Sequence, residues 1–279
     1  MLLYAMSAMI TSQETLPPKN EEPIVTQKVL GLRFHCLTLP QVLDYLNRFI
    51  LERKPRQIAM ANAFTVALCQ DDTPLRDLIN HCDMVLADGM SIVWGMRWLG
   101  SKIPCRVAGP DLMEALCSQA EQKHYRIFLM GSSPDNLSVL ANVLRQRWPA
   151  IPFIGTHSPS MCDRFDETET QSILKDIHAA KPDILFVGVS APKQERWIAE
   201  NLDRIQVPVC IGVGAAFDFL SGRIPRAPQA MQKIGLEWLY RLSCEPRRLW
   251  KRYLLGNAIF LSFLVKERFR RKLKSAQGR

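Results

Sequence analysis

The segment RIFLMGSSPDNLSVLANVLRQR, residues 126–147, decides the fold. Its apolar run from Arg126 to Met130 has the length and composition of a buried strand, and a glycine turn follows at Gly131. Ser133 before Pro134 then marks a helix start, because serine caps free backbone N–H groups and proline suits the first turn. Strand, short turn and capped helix together form one unit of an α/β protein.

The same alternation of short apolar runs and helical patterns extends over residues 28–234. It predicts a Rossmann-like, mostly parallel sheet flanked by helices. Further helix starts are marked at Thr38 before Pro40, at Thr73 before Pro74 and at Asp166 before Glu167. The other predicted strands are Val29 to Leu32, Gln57 to Ala61, Met84 to Ala87, Pro152 to Ile154, Ile184 to Val187 and Val209 to Val213.

Length and composition limit the class of protein. A chain of 279 residues, 47% of them hydrophobic, can bury one large core or a core plus an appendage. The eight cysteines contain no C-x-x-C pair, which indicates reduced thiols in a cytosolic protein and neither a disulfide framework nor a zinc site. The first residues lack a basic region and a cleavage site, so we predict no signal peptide and a disordered segment over residues 1–26.

The positive charge is concentrated at the C-terminal end. The net charge is +9, and from Arg241 onward 12 Lys or Arg stand against two acids. Trp250, Tyr253 and Phe260 are among the apolar residues that interleave with these cations, which predicts an amphipathic helix. The longest apolar run there, residues 258–265, is far shorter than the roughly 20 residues of a membrane span. We therefore predict a core over residues 27–234 and a basic helical appendage over residues 235–279 that lies on an anionic membrane surface.

Other interpretations of the basic tail stay open. A run of charge is often only the solvated side of a helix. A nucleic-acid-binding protein is a second alternative, but RNA-binding surfaces usually place their aromatics on a sheet or in repeats, so we predict no nucleic-acid partner. A third alternative is a non-catalytic membrane scaffold, which would keep the basic tail and would need no catalytic carboxylate.

Unusual loops follow five of the predicted strands, at the edge where parallel sheets bind their ligands. Glycine turns in these loops leave backbone N–H groups free, which favours a phosphate-containing ligand. The stretch from Gly212 to Gly214 is only part of G-x-G-x-x-G and the chain has no GxxxxGK[ST], so neither a dinucleotide site nor a P-loop is predicted. The loops are Ala61-Asn62, Asp88-Gly89, Gly131 to Ser133, Gly188 to Gln194 and Gly214 to Asp218.

Several motifs resemble the WecG/TagA/CpsF glycosyltransferases, glycosyltransferase family 26. In the family's order they are Asp88-Gly89, RVAGPDL (106–112), APKQE (191–195), GVGAAFD (212–218), RAP (226–228), GLEWLYRL (235–242) and EPRRLWKRY (245–253). The similarity covers about Val29 to Tyr253. It implies an inverting, metal-independent transfer, without a cofactor, from a UDP-sugar to a polyprenyl-diphosphate-linked saccharide in bacterial surface-polysaccharide or teichoic-acid linkage synthesis. It also implies a cytoplasmic enzyme attached peripherally to the inner face of the plasma membrane, and a homo-oligomer stays open.

The resemblance assigns roles to individual residues. Asp88 matches the catalytic aspartate and would take the acceptor proton as general base, with capping of the following helix as the alternative. The chain has no D-x-D motif for a metal, so cationic side chains would stabilise the diphosphate. The implied donor-binding residues are Asn62, Arg106, Gln194, Val213, Gly214 and Asp218. The implied diphosphate- or acceptor-binding residues are Arg241, Arg248, Lys251 and Arg252.

Alternatives remain for several of these residues. Asn62 and Gln194 could make local hydrogen bonds within their loops, and Asp218 could be a buried, hydrogen-bonded acid. The appendage cations could contact lipid headgroups, and the choice between Lys251 and Arg252 stays open.

Two differences from the usual family sequence fall in the predicted pocket. Met60-Ala61-Asn62 stands where many relatives have Thr-Pro-Asn, and the residues around Ser158-Pro159-Ser160 replace a Gly-Tyr-Phe. The donor sugar is therefore not implied, and N-acetylmannosamine, its uronic acid and glucose stay open.

Overall fold

The computed structural model describes residues 24–277. Most of the predicted disordered segment, residues 1–26, lies outside the described residues, but Thr26 already begins a strand.

The first two strands, β1 (Thr26–Val29) and β2 (Leu32–His35), form an antiparallel hairpin. The prediction of one strand from Val29 to Leu32 is therefore wrong. Leu30 and Gly31 both have positive φ angles and make the turn, a conformation that leucine rarely adopts.

A six-stranded parallel sheet forms the centre of the molecule. Its strand order is β4-β3-β8-β7-β5-β6, and every neighbouring pair is parallel. This confirms the predicted Rossmann-like architecture. The sixth strand begins two residues later than predicted. The strands are β3 (Gln57–Ala61), β4 (Met84–Ala87), β5 (Ile127–Gly131), β6 (Ile154–His157), β7 (Ile184–Gly188) and β8 (Val209–Gly212).

Helices connect the strands and cover both faces of the sheet. Their N-terminal caps mostly follow the sequence signals: the Ser133 side chain accepts from Asn136 N and the Asp166 side chain from Glu169 N. Asp72, and not Thr73, caps the third helix. The core helices are α1 (Leu39–Glu52), α2 (Ala63–Asp71), α3 (Thr73–His81), α4 (Met90–Trp98), α5 (Gly109–Lys123), α6 (Pro134–Arg147), α7 (Glu167–Ala180), α8 (Lys193–Ile205), α9 (Ala216–Leu220) and α10 (Gln229–Lys233).

Alternate residues of each strand point to opposite faces, and each face has its own apolar layer. Ile58, Phe186 and Ile211 belong to the layer formed with α1, α5, α6 and α9. On the other face, Ala59 packs with α2, α3 and α4, whereas Leu185 packs with α7 and α8. The strands are thus buried from both sides, which is why they read as continuous apolar runs in the sequence.

The C-terminal appendage is helical, and part of its apolar face packs on the core. It consists of α11 (Glu237–Cys244), α12 (Pro246–Trp250), a π-helical turn (Lys251–Leu255) and α13 (Gly256–Gln277). Phe260 and Leu264 are only 4% and 3% exposed and lie in the same apolar cluster as α4. The prediction of a membrane-facing position is therefore wrong for Phe260. Within residues 24–277, no helix has both the length and the hydropathy of a membrane span.

A glycine in α4 makes this packing possible. A Cβ atom at Gly95 would lie only 2.7 Å from Cδ1 of Leu264 and 3.1 Å from Cζ of Phe260. A larger residue would require the buried side chains of Leu264 and Phe260, or α13 itself, to shift. The α/β core and the helical appendage, which meet near residue 234, therefore share one apolar cluster.

Candidate active site

A cavity of about 1060 Å³ opens at the carboxyl edge of the sheet. This volume is slightly above the roughly 300–1,000 Å³ that is usual for ligand pockets. Loops after β3, β4, β7 and β8 form one side, and the appendage closes the other. All the residues singled out from the sequence line this cavity: Asn62, Asp88, Arg106, Gln194, Val213, Gly214, Asp218, Arg241, Arg248, Lys251 and Arg252.

Asp88 lies directly after β4, at the base of the cavity. Its backbone N–H donates to the carbonyl oxygen of Ala61, and its carboxylate accepts a long bond, 3.4 Å, from the backbone N–H of Gly109. The side chain does not cap α4, because Gly89 occupies the N-cap position without a side-chain bond. Burial raises the pKa of Asp88, while the positive charges of Arg106 and Arg252 act in the opposite direction.

Gln194 is buried at the start of α8 and is held by its neighbour. Its Nε2 donates to the Glu195 carboxylate at 2.9 Å, and its buried Oε1 has no partner among the described residues. This close packing requires glycine at position 212, because a Cβ there would lie 2.6 Å from Nε2 of Gln194. An unpartnered buried acceptor is costly, so Oε1 suits a ligand that donates a hydrogen bond.

Glu195 is a buried acid that sequence reasoning did not single out. It is 2% exposed, one of its carboxylate oxygens has no partner in the described part of the chain, and burial raises its pKa. The only sequence signal was its place beside Gln194 in the APKQE motif.

Asn62 and Asp218 make the local bonds that were the alternatives to ligand binding. Asn62 Oδ1 accepts from the backbone N–H groups of Phe64 and Thr65, at 3.1 and 3.2 Å, and so caps α2. Asp218 accepts from Nδ2 of Asn136 at 3.1 Å. Both side chains nevertheless line the cavity, so these bonds fix their positions in its wall.

Arg106 is held by an acid from the appendage. Its Nη1 donates to Glu237 Oε2 at 2.7 Å, and the other carboxylate oxygen of Glu237 accepts from Arg226 Nε at 3.0 Å. Arg226 also pairs with Asp111 of α5. Glu237, which the sequence analysis did not single out, thus ties α11 to two arginines of the core beside the cavity.

Two appendage arginines are partly buried in the cavity wall. The Arg241 guanidinium lies 5.3 Å from the Phe219 ring centroid, and that of Arg252 lies 5.0 Å from the Phe64 ring centroid. The Nε atoms of both are buried and lack a hydrogen-bond partner within residues 24–277. Burial lowers the pKa of Arg252, although Asp88 and Glu195 oppose that shift. Unpartnered guanidinium N–H groups suit an anionic ligand such as a diphosphate.

The other two cations of the appendage are more accessible. The Arg248 side chain is 54% exposed and pairs with Glu245 at 2.6 Å. Lys251 is exposed and lies 5.6 Å from the Trp250 ring centroid. Both line the cavity, but Arg252 is the one whose charge acts on Asp88 and Glu195.

Fold and cavity define an α/β protein with a polar, cation-lined cavity at the carboxyl edge of a parallel sheet and a basic appendage over the site. The sequence identifies the family: the chain belongs to the WecG/TagA/CpsF glycosyl transferase family, whose model matches residues 27–274. The chain is thus a glycosyltransferase, and the resemblance noted in its motifs is confirmed.

Similar proteins include two enzymes from Staphylococcus aureus, strains NCTC 8325 / PS 47 and MRSA252. Each is named N-acetylglucosaminyldiphosphoundecaprenol N-acetyl-beta-D-mannosaminyltransferase. Each is 29% identical over 261 residues, which cover 92% of this chain and 99% of the relative.

Proposed function

We propose that this chain is an inverting, metal-independent glycosyltransferase that moves a sugar from a UDP-sugar to a polyprenyl-diphosphate-linked saccharide. One observation carries the proposal: the Asp88 carboxylate shares a cavity with the guanidinium groups of Arg241 and Arg252, whose buried Nε atoms lack a hydrogen-bond partner among the described residues. Transfer with inversion needs a base for the acceptor hydroxyl and positive charge for the departing diphosphate. The name of the relatives supports a diphosphoundecaprenol-linked acceptor.

Asp88 is the proposed general base. The acceptor oxygen attacks the anomeric carbon from the side opposite to UDP and forms the new glycosidic bond, while Asp88 takes the hydroxyl proton. The bond between the anomeric carbon and the β-phosphate oxygen breaks, and its electron pair leaves with UDP. The raised pKa of Asp88 supports this role, because a base whose pKa lies closer to the working pH accepts a proton more readily.

Cationic side chains take the part that a metal has in many glycosyltransferases. Arg106 borders the cavity from the core, and Arg241, Arg248, Lys251 and Arg252 border it from the appendage. Guanidinium groups can bind diphosphate oxygens through two parallel hydrogen bonds. The desolvated Arg252 is the strongest candidate for the leaving group, because charge interactions grow where water is excluded.

The donor is proposed to occupy the part of the cavity next to β3, β7 and β8. Asn62, Gln194, Val213, Gly214 and Asp218 line this part. The unpartnered Oε1 of Gln194 would accept a hydrogen bond from a hydroxyl or N–H group of the donor. N-acetylmannosamine is the sugar in the relatives' name, so UDP-N-acetylmannosamine is the first donor to test.

The appendage is proposed to hold the enzyme on the anionic inner face of the plasma membrane, where a lipid-linked acceptor would lie. Trp250, Leu254, Leu261 and Phe269 are exposed apolar residues. They stand among the cations of the tail, a composition that favours an interfacial position. Together with the relatives' name, a membrane position supports a role in bacterial surface-polysaccharide or teichoic-acid linkage synthesis.

The test is a donor screen with the full-length protein. UDP release and lipid-linked product are measured with a panel of UDP-sugars and N-acetylglucosaminyl-diphosphoundecaprenol, with and without EDTA. We expect one UDP-sugar to be used, the new linkage to be of opposite anomeric configuration by NMR, and EDTA to leave the rate unchanged. No transfer with any donor would favour the scaffold alternative, and a strict requirement for Mg²⁺ or Mn²⁺ would overturn the role given to the arginines.

A further inference from the structure

The cavity extends beyond the residues that the proposed reaction uses. Its far end is lined by α2, which starts at the carboxyl edge of the sheet directly after Asn62. Ala63 at the start of α2 lines the cavity, as do four residues further along the helix: Phe64, Ala67, Leu68 and Asp71. Their spacing of three, four and seven residues is that of one helix face. This wall therefore runs for about 10 Å away from the sheet, at 1.5 Å per residue, and is apolar until Asp71.

The appendage supplies the opposite wall with the same spacing. Arg252, Leu255, Gly256 and Ile259 line the cavity from the π-helical turn and the start of α13. The two walls meet at Phe64: a Cβ on Gly256 would lie 3.1 Å from its Cδ2. Arg252 thus stands at the inner end of this wall, where its charge acts on Asp88, and Ile259 stands about 10 Å further along the helix.

The apolar side chains that the appendage contributes to this groove are largely uncovered. Leu255 is 51% exposed and Ile259 is 43% exposed, although both border a cavity. The neighbouring Leu254 and Leu261 are exposed too, but they do not line the cavity. The groove therefore opens beside the exposed apolar surface of the appendage, the surface proposed to meet the membrane.

We infer that the groove between α2 and α13, lined by Phe64, Ala67, Leu68, Leu255 and Ile259, holds the first isoprene units of the acceptor lipid. This inference rests on the proposed function. Along the cavity, a carboxylate, a cationic region and an apolar groove follow one another. This order matches that of the saccharide, diphosphate and lipid chain in a polyprenyl-diphosphate saccharide. The saccharide hydroxyl is at Asp88, and the acceptor's own diphosphate is at Lys251, which lines the cavity four residues before Leu255, whereas Arg252 stays with the departing diphosphate of UDP. The chain bonded to the acceptor diphosphate enters the apolar groove. The remainder of the chain continues into the bilayer.

Two adjacent residues of equal exposure provide a matched test. Leu255 lines the groove and Leu254 does not, and each is 51% exposed. Because both side chains are half exposed, Leu255→Gln and Leu254→Gln remove no core packing. The acceptors are N-acetylglucosaminyl-diphosphoundecaprenol in detergent micelles and the water-soluble methyl ester of N-acetylglucosaminyl diphosphate.

We expect Leu255→Gln to raise KM for the long-chain acceptor about tenfold, because a lost apolar contact of this size typically costs that much in discrimination. KM for the UDP-sugar and the rate with the methyl ester should stay unchanged. Leu254→Gln, which changes the surface proposed to meet the membrane but not the groove, should raise this KM less than Leu255→Gln does. Equal effects of the two substitutions, or equal loss with both acceptors, would overturn the inference.

Direct binding separates this inference from the proposed function. Farnesyl diphosphate and inorganic diphosphate serve as probes, with tryptophan fluorescence as the readout. Wild-type protein should bind farnesyl diphosphate more tightly than diphosphate, and Leu255→Gln should remove that advantage even if no sugar is transferred. If dioleoyl phosphatidic acid competes as well as farnesyl diphosphate, the groove binds membrane acyl chains and the assignment to the acceptor is wrong.

Discussion

Replacing Asp88 by asparagine distinguishes its proposed role as general base from its role in the fold. Within residues 24–277 the carboxylate accepts one hydrogen bond, from Gly109 N at 3.4 Å, and an amide oxygen can accept the same bond. We therefore expect Asp88→Asn to keep the fold and the cavity. The amide cannot take a proton, so transfer should fall by about 10²- to 10⁴-fold, which corresponds to about 3–5 kcal/mol in the activation free energy.

The pKa of Asp88 also predicts the effect on stability. Burial raises this pKa in the folded chain, so the folded state binds the proton more tightly than the unfolded state does. The contribution to the free energy of unfolding is then largest below the unfolded pKa and is lost as the pH rises through the folded pKa. At neutral pH the ionised Asp88 is a cost, which Arg106 and Arg252 reduce. Asp88→Asn should melt at the same temperature as the wild type or higher at pH 8, and this difference should shrink towards pH 5.

The assay is the initial rate of UDP release together with thermal unfolding at both pH values. In the wild type, the acidic limb of kcat/KM should lie above the usual range of an aspartate, and it should be absent from the residual activity of Asp88→Asn. Asp71→Asn is the control, because Asp71 is an exposed acid at the far end of the same cavity. Turnover of Asp88→Asn within about tenfold of wild type would remove Asp88 as the base. A melting temperature below that of the wild type at pH 8 would refute the argument from burial.

Two further substitutions test the appendage. Arg252→Gln should lower kcat/KM about 100-fold or more, whereas Lys251→Gln should lower it less than about tenfold, because only Arg252 is desolvated beside Asp88; equal losses in steady-state kinetics would contradict this ranking. Phe260→Ala should lower the free energy of unfolding by about 3–5 kcal/mol, since this side chain is buried against α4, and a denaturant titration without any membrane would detect it. An unchanged midpoint would mean that α13 does not pack on the core in solution.

The fold could be predicted because its signals are local. Strands of a parallel sheet that is buried on both faces appear in the sequence as apolar runs. Ser133 and Asp166 mark the starts of their helices because their side chains cap free backbone N–H groups. The hairpin of β1 and β2 escaped prediction for the opposite reason. Its turn places Leu30 at a positive φ, and nothing in a leucine side chain signals that conformation.

Some residues of the candidate site could also be predicted from local signals, and others could not. Asp88 and Gln194 were predictable because they follow strands whose carboxyl ends meet at one edge. Glu237 was not, because its function depends on Arg106, a residue 131 positions away in the chain. Only the fold brings such partners together, and a charged residue in a helical pattern is otherwise read as a solvated one.

The amphipathic pattern of the tail does not indicate which surface its apolar side meets, because a protein core and a lipid layer both favour apolar side chains. In α13 the apolar residues are divided: Phe260 and Leu264 are buried on α4, whereas Leu261 and Phe269 are exposed. The position of Arg252 depends on this division. It precedes Phe260 by eight residues of almost continuous helix, about 12 Å, so the apolar contact on Gly95 holds the guanidinium in the cavity wall. An apolar contact remote from the reacting atoms thereby sets the position of the charge proposed to stabilise the leaving group.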